Sequence, residues 1–227
     1  MKNEADVFDA RWLSGVSEAS KSELKRLTEF QNFDVGDIIY ALGGPQKWLW
    51  AIVDGQVQIR VAFIETEPVL AHMYHAGAWF GESELIHGID GLIEVKATVP
   101  TKVARIAYTP FRRIADERPE LWRAFALLAS MNQLLAMSAA NDLTLTKPKQ
   151  RIAATLLRLS GQRGNIQGSG SADEIRASQQ DIANLANIAR SKASIHLRSL
   201  ATSGLIETNY NRFKLLDHKG LTKLIDE

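Results

Sequence analysis

The sequence predicts an α+β chain in three parts: a jelly-roll-like β-roll in the N-terminal half, one long helix, and a small helical domain closed by a hairpin. Three observations carry this. Residues 33–108 are cut into short β-type runs by glycines. From residue 119 the apolar residues change from a period of two to a spacing of three and four. Pro148 then interrupts that pattern, and a second helical set begins. Many short strands at regular spacing imply a compact barrel or roll, and the new period marks a helix.

Taken in order, residues 7–13 and 20–30 read as short helices. Phe33-Asp34-Val35-Gly36-Asp37-Ile38-Ile39-Tyr40 reads as a strand, followed by a turn at Gly43-Gly44-Pro45. Residues 48–53 form the next strand, and Asp54-Gly55 is a hairpin signal. Val57, Ile59 and Val61 then alternate with Gln58 and Arg60, the pattern of a half-buried strand. Residues 69–74, 93–99 and 102–108 supply further strands. Thr109-Pro110 opens a short helix, proline being favoured at the first helical position.

Arg118-Pro119 starts the long helix, which continues to about residue 145. Leu121, Ala124, Leu128, Met131, Leu135 and Ser138 recur at three and four, the spacing of a coiled-coil seam. Leu121, Leu128, Met131 and Leu135 are therefore the expected dimerisation residues, and Leu127, Leu134 and Met137 widen the apolar face. A helix of about 27 residues spans about 40 Å, more than one small domain covers. The preferred reading packs one side on the roll and the other on a twin helix across a two-fold axis; the alternative packs the helix wholly on its own β domain. Thr146-Lys147-Pro148-Lys149 breaks the helix, since proline interrupts the hydrogen-bond ladder. The expected domains are 1–117 for the roll, 118–146 for the dimerisation helix and 147–227 for the C-terminal domain, with a hinge at 146–149. Residues 161–171 read as a Gly/Ser/Asn-rich loop.

Composition narrows the function classes. Of the 227 residues, 45% are hydrophobic and 23% charged, ordinary for a soluble globular chain. No apolar run approaches the roughly 18 residues that span a bilayer, and Met1-Lys2-Asn3-Glu4-Ala5-Asp6 is no signal segment. A cytoplasmic protein with no membrane partner is expected. With no cysteine, disulfides, thiolate nucleophiles, Cys-based zinc sites and Cys-ligated iron–sulfur clusters are excluded. Residues 147–227 carry 13 Lys+Arg against 7 Asp+Glu, whereas residues 1–146 carry 14 against 19. Only the C-terminal part has the sign to meet a polyanion, although an asymmetry this modest also arises by chance.

The most specific signal lies in residues 178–206. Ser178-Gln179-Gln180-Asp181 reads as a helix N-terminus with Ser178 as cap. Ile182, Leu185 and Ala186 form its core side, and Ala183 is small where two helices cross closely. A tight turn falls at residues 187–189, and a second helix follows from Arg190 to Leu200. Ala193, Leu197 and Leu200 face the core; Arg190, Ser191, Ser194 and Arg198 face away. This is a helix-turn-helix whose second helix enters the major groove of double-stranded DNA. Arg190 suits a bidentate bond to a guanine edge, while Lys192 and Arg198 suit phosphates. Gln179, Ser191 and Ser194 complete the expected contacts. Gly204 ends the helix, and a hairpin turning at Asn209-Tyr210-Asn211-Arg212 forms a wing that brings Arg212 and Lys214 to the backbone. The competing reading is a helical hairpin with a solvated basic face.

With these pieces in place, the chain resembles the Crp/Fnr family of transcription regulators. The likeness rests on Phe33-x-x-Gly36-Asp37-Ile38-Ile39, Gly44, Ile52-Val53-Asp54-Gly55-Gln56-Val57, Gly81-Glu82-Ser83-Glu84-Leu85, Val103-x-x-Ile106, Phe111 and Gln180-Asp181-Ile182-Ala183. Each piece is weak alone; their order and spacing run through nearly the whole chain. The resemblance implies a cyclic-nucleotide-binding-like β-roll sensor, a dimerisation helix and a winged helix-turn-helix. Pairing of the long helix across a two-fold axis predicts a homodimer on a palindromic operator, with RNA polymerase a further partner if the protein activates transcription.

The departures bear on the effector. Cyclic-nucleotide-binding members follow the Gly-Glu-x-x-Leu segment with an Arg-Ser pair that grips the ligand phosphate, because a buried phosphate charge must be paired. The corresponding stretch here is Gly91-Leu92-Ile93-Glu94, and no arginine lies between Glu82 and Lys96. Lys96 alternates with Val95 and Ala97 and is expected to face water. The family's adenine-facing hydroxyl pair falls at Ala136-Met137, which offers no hydroxyl. Cyclic AMP and cyclic GMP are therefore not the expected effectors. An apolar or weakly polar small molecule, or none, remains. The expected pocket takes Gly81, Glu82, Ser83, Leu92, Leu135 and Met137, with Glu82 and Glu84 either ligand contacts or a loop bond and a solvated carboxylate. A haem or redox-responsive member would draw on His72, His75 or His87, and a metal on His72 and His75, but i, i+3 places those two on opposite strand faces. No nucleophile–base pair, phosphate loop or metal cluster suggests an enzyme. A small-molecule-binding module without DNA activity is the alternative.

Overall fold

The computed structural model describes residues 4–45, 47–62, 67–88, 91–163 and 173–226. Two 3₁₀ turns, Glu4–Asp9 and Arg11–Leu13, precede helix α1 (Glu18–Leu27). Ser17 caps α1 by accepting from the Ser20 amide at 3.3 Å. The helix expected over 20–30 stops at Leu27, and residues Thr28–Phe33 form strand β1 instead. Thr28 Oγ1 donates back to the Leu24 carbonyl at 2.7 Å, while the backbone from Thr28 onward pairs with residues 101–106. Tertiary pairing overrides the helical pattern there. The expected strand over 33–40 likewise divides. A turn held by the Asp34 amide donating to Asp37 Oδ2 (2.8 Å), with Gly36 at φ 95°, separates β1 from β2 (Ile38–Tyr40).

The remaining strands of the roll are β3 (Trp48–Asp54), β4 (Gln56–Val61), β5 (Val69–His75), β6 (Trp79–Phe80), β7 (Ile93–Ala97) and β8 (Thr101–Ala107). With β1 and β2 they form two four-stranded sheets, ordered β1-β8-β3-β6 and β2-β7-β4-β5. The Asp54-Gly55 turn is therefore not a hairpin within one sheet; it carries the chain from one sheet to the other. Gly55 has φ 99°, and a side chain there would collide with the backbone of Pro100 and Thr101. Strand β3 is buried on both faces, which explains its unbroken apolar run. Leu49, Ala51 and Val53 join a core with Trp12, Leu24, Phe111 and Phe125, while Trp50 and Ile52 join a second with Val57, Phe80, Val95 and Val103. The Gly81-Glu82 segment opens a short helix, α2 (Glu82–His87), that periodicity did not disclose.

Helix α3 (Tyr108–Glu117) leads into α4 (Pro119–Thr144). The inward face of α4 carries two residues of the expected seam. Leu121 and Leu128 are 0% and 3% exposed within a single chain, packed with Phe111 and Phe125. Met131 also packs partly against that core. Among the described residues, Leu127, Leu134 and Met137 on the same helix are 41%, 45% and 59% exposed.

By compactness the described residues fall into two units. One contains the residues up to Val69 with Met73–Gln133, the other Leu70–His72 with the chain from Leu134 onward. In the second unit α4 ends at Thr144 and α5 (Pro148–Leu159) begins after Lys147, at the expected break. Then come β9 (Glu174–Arg176), α6 (Gln179–Leu185), α7 (Arg190–Thr202), β10 (Ile206–Asn209), β11 (Arg212–Leu215) and α8 (His218–Asp226). The loop expected over 161–171 lies, from residue 164, outside the described residues. Helix α8 buries Leu221 and Ile225 and is tied to α5 by Gln150 Nε2, which donates to the Leu224 and Ile225 carbonyls at 3.3 Å.

Candidate nucleic-acid interface

The start of α6 is fixed by a reciprocal cap. Ser178 Oγ accepts from the Asp181 amide at 3.0 Å, and the Asp181 carboxylate accepts from the Ser178 amide at 2.9 Å. The turn to α7 follows from three local features. Asn187 adopts the left-handed region at φ 49°, which asparagine tolerates. The Ile188 amide donates back to the Ala183 carbonyl at 3.0 Å. Ala183 is fully buried, so the two helices cross closely. Helix α7 then begins at Arg190 behind Ala189, which has no side-chain oxygen to cap the first amides.

Ile182, Ala183, Leu185, Ala193, Leu197 and Leu200 are all buried, as the spacing requires. Arg190, Ser191, Lys192 and Arg198 are exposed on α7, and Ser194 is half-buried. Gln179 is exposed at the first turn of α6. The wing is a three-stranded antiparallel sheet, β10-β11-β9, whose third strand was not foreseen. Its hairpin turns through Tyr210 and Asn211 (φ 51°). Lys214 is exposed, whereas Arg212 Nη1 donates to Glu174 Oε1 at 3.0 Å, so part of its charge is already matched. Two exposed apolar side chains had escaped sequence reasoning as contacts: Ile195 in the middle of α7, 64% exposed, and Tyr210 at the wing tip, 92% exposed. For Ile195 a signal existed, because it falls on the α7 face opposite Ala193, Leu197 and Leu200.

The base of this domain holds a buried ion cluster. Asp142, on the last turns of α4, accepts from Arg158 Nε of α5 at 2.9 Å and from Arg163 Nε at 2.9 Å. The side chains of Asp142 and Arg158 are each 1% exposed. Burial pulls the Arg158 guanidinium below the usual arginine range, and the Asp142 hydrogen bond and charge work against that shift. The cluster spans residues 145–147, so the expected hinge is bridged by a charge pair.

In the first unit, Gly81 and Glu82 of the expected pocket are buried, Leu92 is half-buried and Ser83 is exposed. The side chain of Glu84 lies outside the described residues. Leu135 and Met137 belong to the second unit, and Met137 is exposed, so the six residues are not gathered within one unit. What does assemble near Glu82 is a half-buried polar chain. Tyr74 Oη donates to Asn132 Oδ1 at 3.3 Å, and Asn132 Nδ2 donates to the Trp79 carbonyl at 3.1 Å. Burial raises the Tyr74 phenol well above the usual tyrosine range, and the Glu82 carboxylate adds to the shift. Phe80 stacks between Trp50 (6.5 Å) and Tyr74 (6.0 Å). Gly91 abuts the Tyr40 ring so closely that any added side chain would run into the Tyr40 hydroxyl. No helix among the described residues is long and apolar enough to cross a membrane.

Comparison with known proteins agrees with this geometry. Residues 150–224 match the Crp-like helix-turn-helix domain, and residues 30–118 match the cyclic nucleotide-binding domain. The transcriptional regulatory protein btr of Bordetella pertussis is 29% identical over 153 residues, 63% of this chain; the match spans 61% of that relative's own length. The cAMP-activated global transcriptional regulator Vfr of Pseudomonas aeruginosa is 27% identical over 175 residues, covering 74% of this chain and 80% of Vfr. Among solved structures, FixK2 of Bradyrhizobium japonicum superposes with a TM-score of 0.74 at 18% identity, covering 87% of this chain and 96% of its own. TTHA1359, a CRP/FNR-family regulator of Thermus thermophilus, gives 0.65 at 24%, covering 88% and 99%. At these identities the structural matches speak for the fold.

Proposed function

The chain belongs to the Crp/Fnr family of DNA-binding transcription regulators, and from that premise we propose that it acts as a cytoplasmic homodimer, reading a palindromic operator and answering to an effector other than cyclic AMP. The observation that carries the DNA-reading role is the outward face of α7. Arg190, Ser191, Lys192 and Arg198 stand exposed on a helix whose other face is fully committed to the core. Such a helix suits the major groove. Arg190, at its N-terminus, reads guanine bidentately. Lys192, Arg198, Lys214 and Gln179 hold phosphates and set register.

A second copy of this chain is the occupant proposed for the apolar stripe of α4. Leu127, Leu134 and Met137 are spaced by seven and three, the repeat of a two-helix seam, and among the described residues they stand exposed. A two-fold pair would present two α7 helices to half-sites about one helical turn, roughly 34 Å, apart. The proposal departs from the cAMP-activated relative Vfr at the ligand. No arginine lies between Glu82 and Lys96, and Gly91 has no room for any side chain beside Tyr40. That stretch thus offers no arginine to pair the charge of a phosphate.

Two titrations test this. Fluorescence anisotropy on a duplex selected from a random library should give affinity that falls with salt, with a log–log slope of about −0.9 for each phosphate neutralised. A protein that never enriches a duplex would refute the DNA-reading role. Calorimetry with cyclic AMP and cyclic GMP should show no heat and leave DNA affinity unchanged. Tight binding coupled to DNA affinity would refute the effector assignment.

A further inference from the structure

We propose that Ile195 reads the C5-methyl group of a thymine in each half-site; this rests on the DNA-reading role assigned to α7. A single exposed apolar residue on a protein surface is ordinary and by itself says nothing. The place of this one is what matters. Helix α7 has three large apolar side chains, and two of them, Leu197 and Leu200, are 1% and 0% exposed. Ile195 is 64% exposed on the opposite face. On a helix with 3.6 residues per turn its surface neighbours are the residues three and four away, namely Ser191, Lys192, Arg198 and Ser199. The face that enters the groove is thus a polar and cationic ring around one branched hydrocarbon. Being β-branched, Ile195 is held to essentially one χ1 rotamer in a helix, so it presents the same methyl surface to whatever it meets.

The chemistry of the groove then selects its partner. Guanine and adenine show acceptors and an amino donor there, and cytosine shows an amino donor. Thymine alone adds an apolar group, its methyl. Isoleucine over any other edge would strip water from a donor or acceptor and return no hydrogen bond. Arg190 lies five residues earlier, about 7.5 Å along the helix axis, so the guanine it reads and this thymine are separated along the same half-site. Burying one methyl contributes about four-fold in affinity, and the two half-sites together about fifteen-fold.

The test uses the full-length protein and a duplex selected from a random library at low salt. Each thymine of the selected site is replaced in turn by uracil, which removes only the methyl. At one position per half-site, uracil should weaken the parent protein about four-fold. The same replacement should leave Ile195→Ala unaffected, and Ile195→Val should keep the sensitivity. Replacing that thymine by cytosine should cost affinity that 5-methylcytosine partly restores. Ile195 is exposed, so circular dichroism should show both variants folded. A selected site at which no uracil matters, or at which uracil costs the parent and Ile195→Ala equally, overturns the inference and leaves DNA reading intact. Failure to enrich any site overturns both.

Discussion

Replacing Asp142 by alanine tests whether the buried charge cluster holds the second unit together. The change removes the acceptor for both Arg158 Nε and Arg163 Nε, each at 2.9 Å, and leaves a guanidinium that is 1% exposed without its counter-charge. Two routes give the magnitude. Unit charges about 4 Å apart at an effective dielectric near 20 interact by about 4 kcal/mol. Removal of one partner of a buried pair costs about 3–5 kcal/mol. Arg163, 20% exposed, adds less than about 1 kcal/mol. With a urea m-value of about 1.5 kcal/mol/M for a domain of this size, the midpoint should fall by roughly 2–3 M.

The assay can separate the units, because all five tryptophans (Trp12, Trp48, Trp50, Trp79 and Trp122) lie in the first. Far-UV circular dichroism should show an early transition from the second unit, while the tryptophan transition stays near its parent midpoint. The double variant Asp142→Leu with Arg158→Met should recover most of the loss, since an apolar pair of similar volume requires no desolvation of charge. A midpoint shift below about 0.5 M, or a double variant as weak as the single one, would refute the reasoning.

Other perturbations separate the assigned roles. Leu134→Asp, at a half-exposed position, should leave the chain folded and lower its mass by sedimentation velocity, whereas Leu128→Asp buries a charge in the core and should unfold the first unit. A Leu134→Asp protein sedimenting like its parent would exclude the stripe as the seam. Arg190→Ala should cost about 1–3 kcal/mol of discrimination between the selected duplex and one with its guanine replaced. Lys192→Ala should weaken all sequences alike and reduce the salt slope by about one. Glu120 accepts from Ser17 Oγ and Ser20 Oγ, both at 2.7 Å, and these bonds, Ser17's first, hold its carboxyl below the usual carboxylate range. Its contribution is present above the unfolded glutamate value and lost as pH falls through the lower folded value. The tryptophan unfolding midpoint should therefore drop on acidification below about pH 4.5, less steeply in Glu120→Gln; equal acid limbs would dismiss the link.

What the sequence determined by itself is whatever depends on neighbours in the chain. The period of two in Val57, Ile59 and Val61, the Ser178–Asp181 cap, the turn at Asn187 and the buried Ala193, Leu197 and Leu200 are all local signals, and each appears where expected. They sufficed for the β-roll, the long helix and the winged helix-turn-helix. Tertiary structure decided what depends on residues far apart. Strand β1 exists because residues 101–106 offer it a ladder, and β3 and β4 part company at Gly55 because the roll closes from two sheets. Asp142 meets partners 16 and 21 residues away, and Tyr74 meets Asn132 58 residues away. Helix α4 shows the limit most clearly. Leu121, Leu128 and Leu135 share a heptad spacing, and so do Leu127 and Leu134. Periodicity finds both stripes but assigns neither to a partner. Only the packing of Phe111 and Phe125 against Leu121 and Leu128 turns that stripe inward and leaves Leu127, Leu134 and Met137 in solvent.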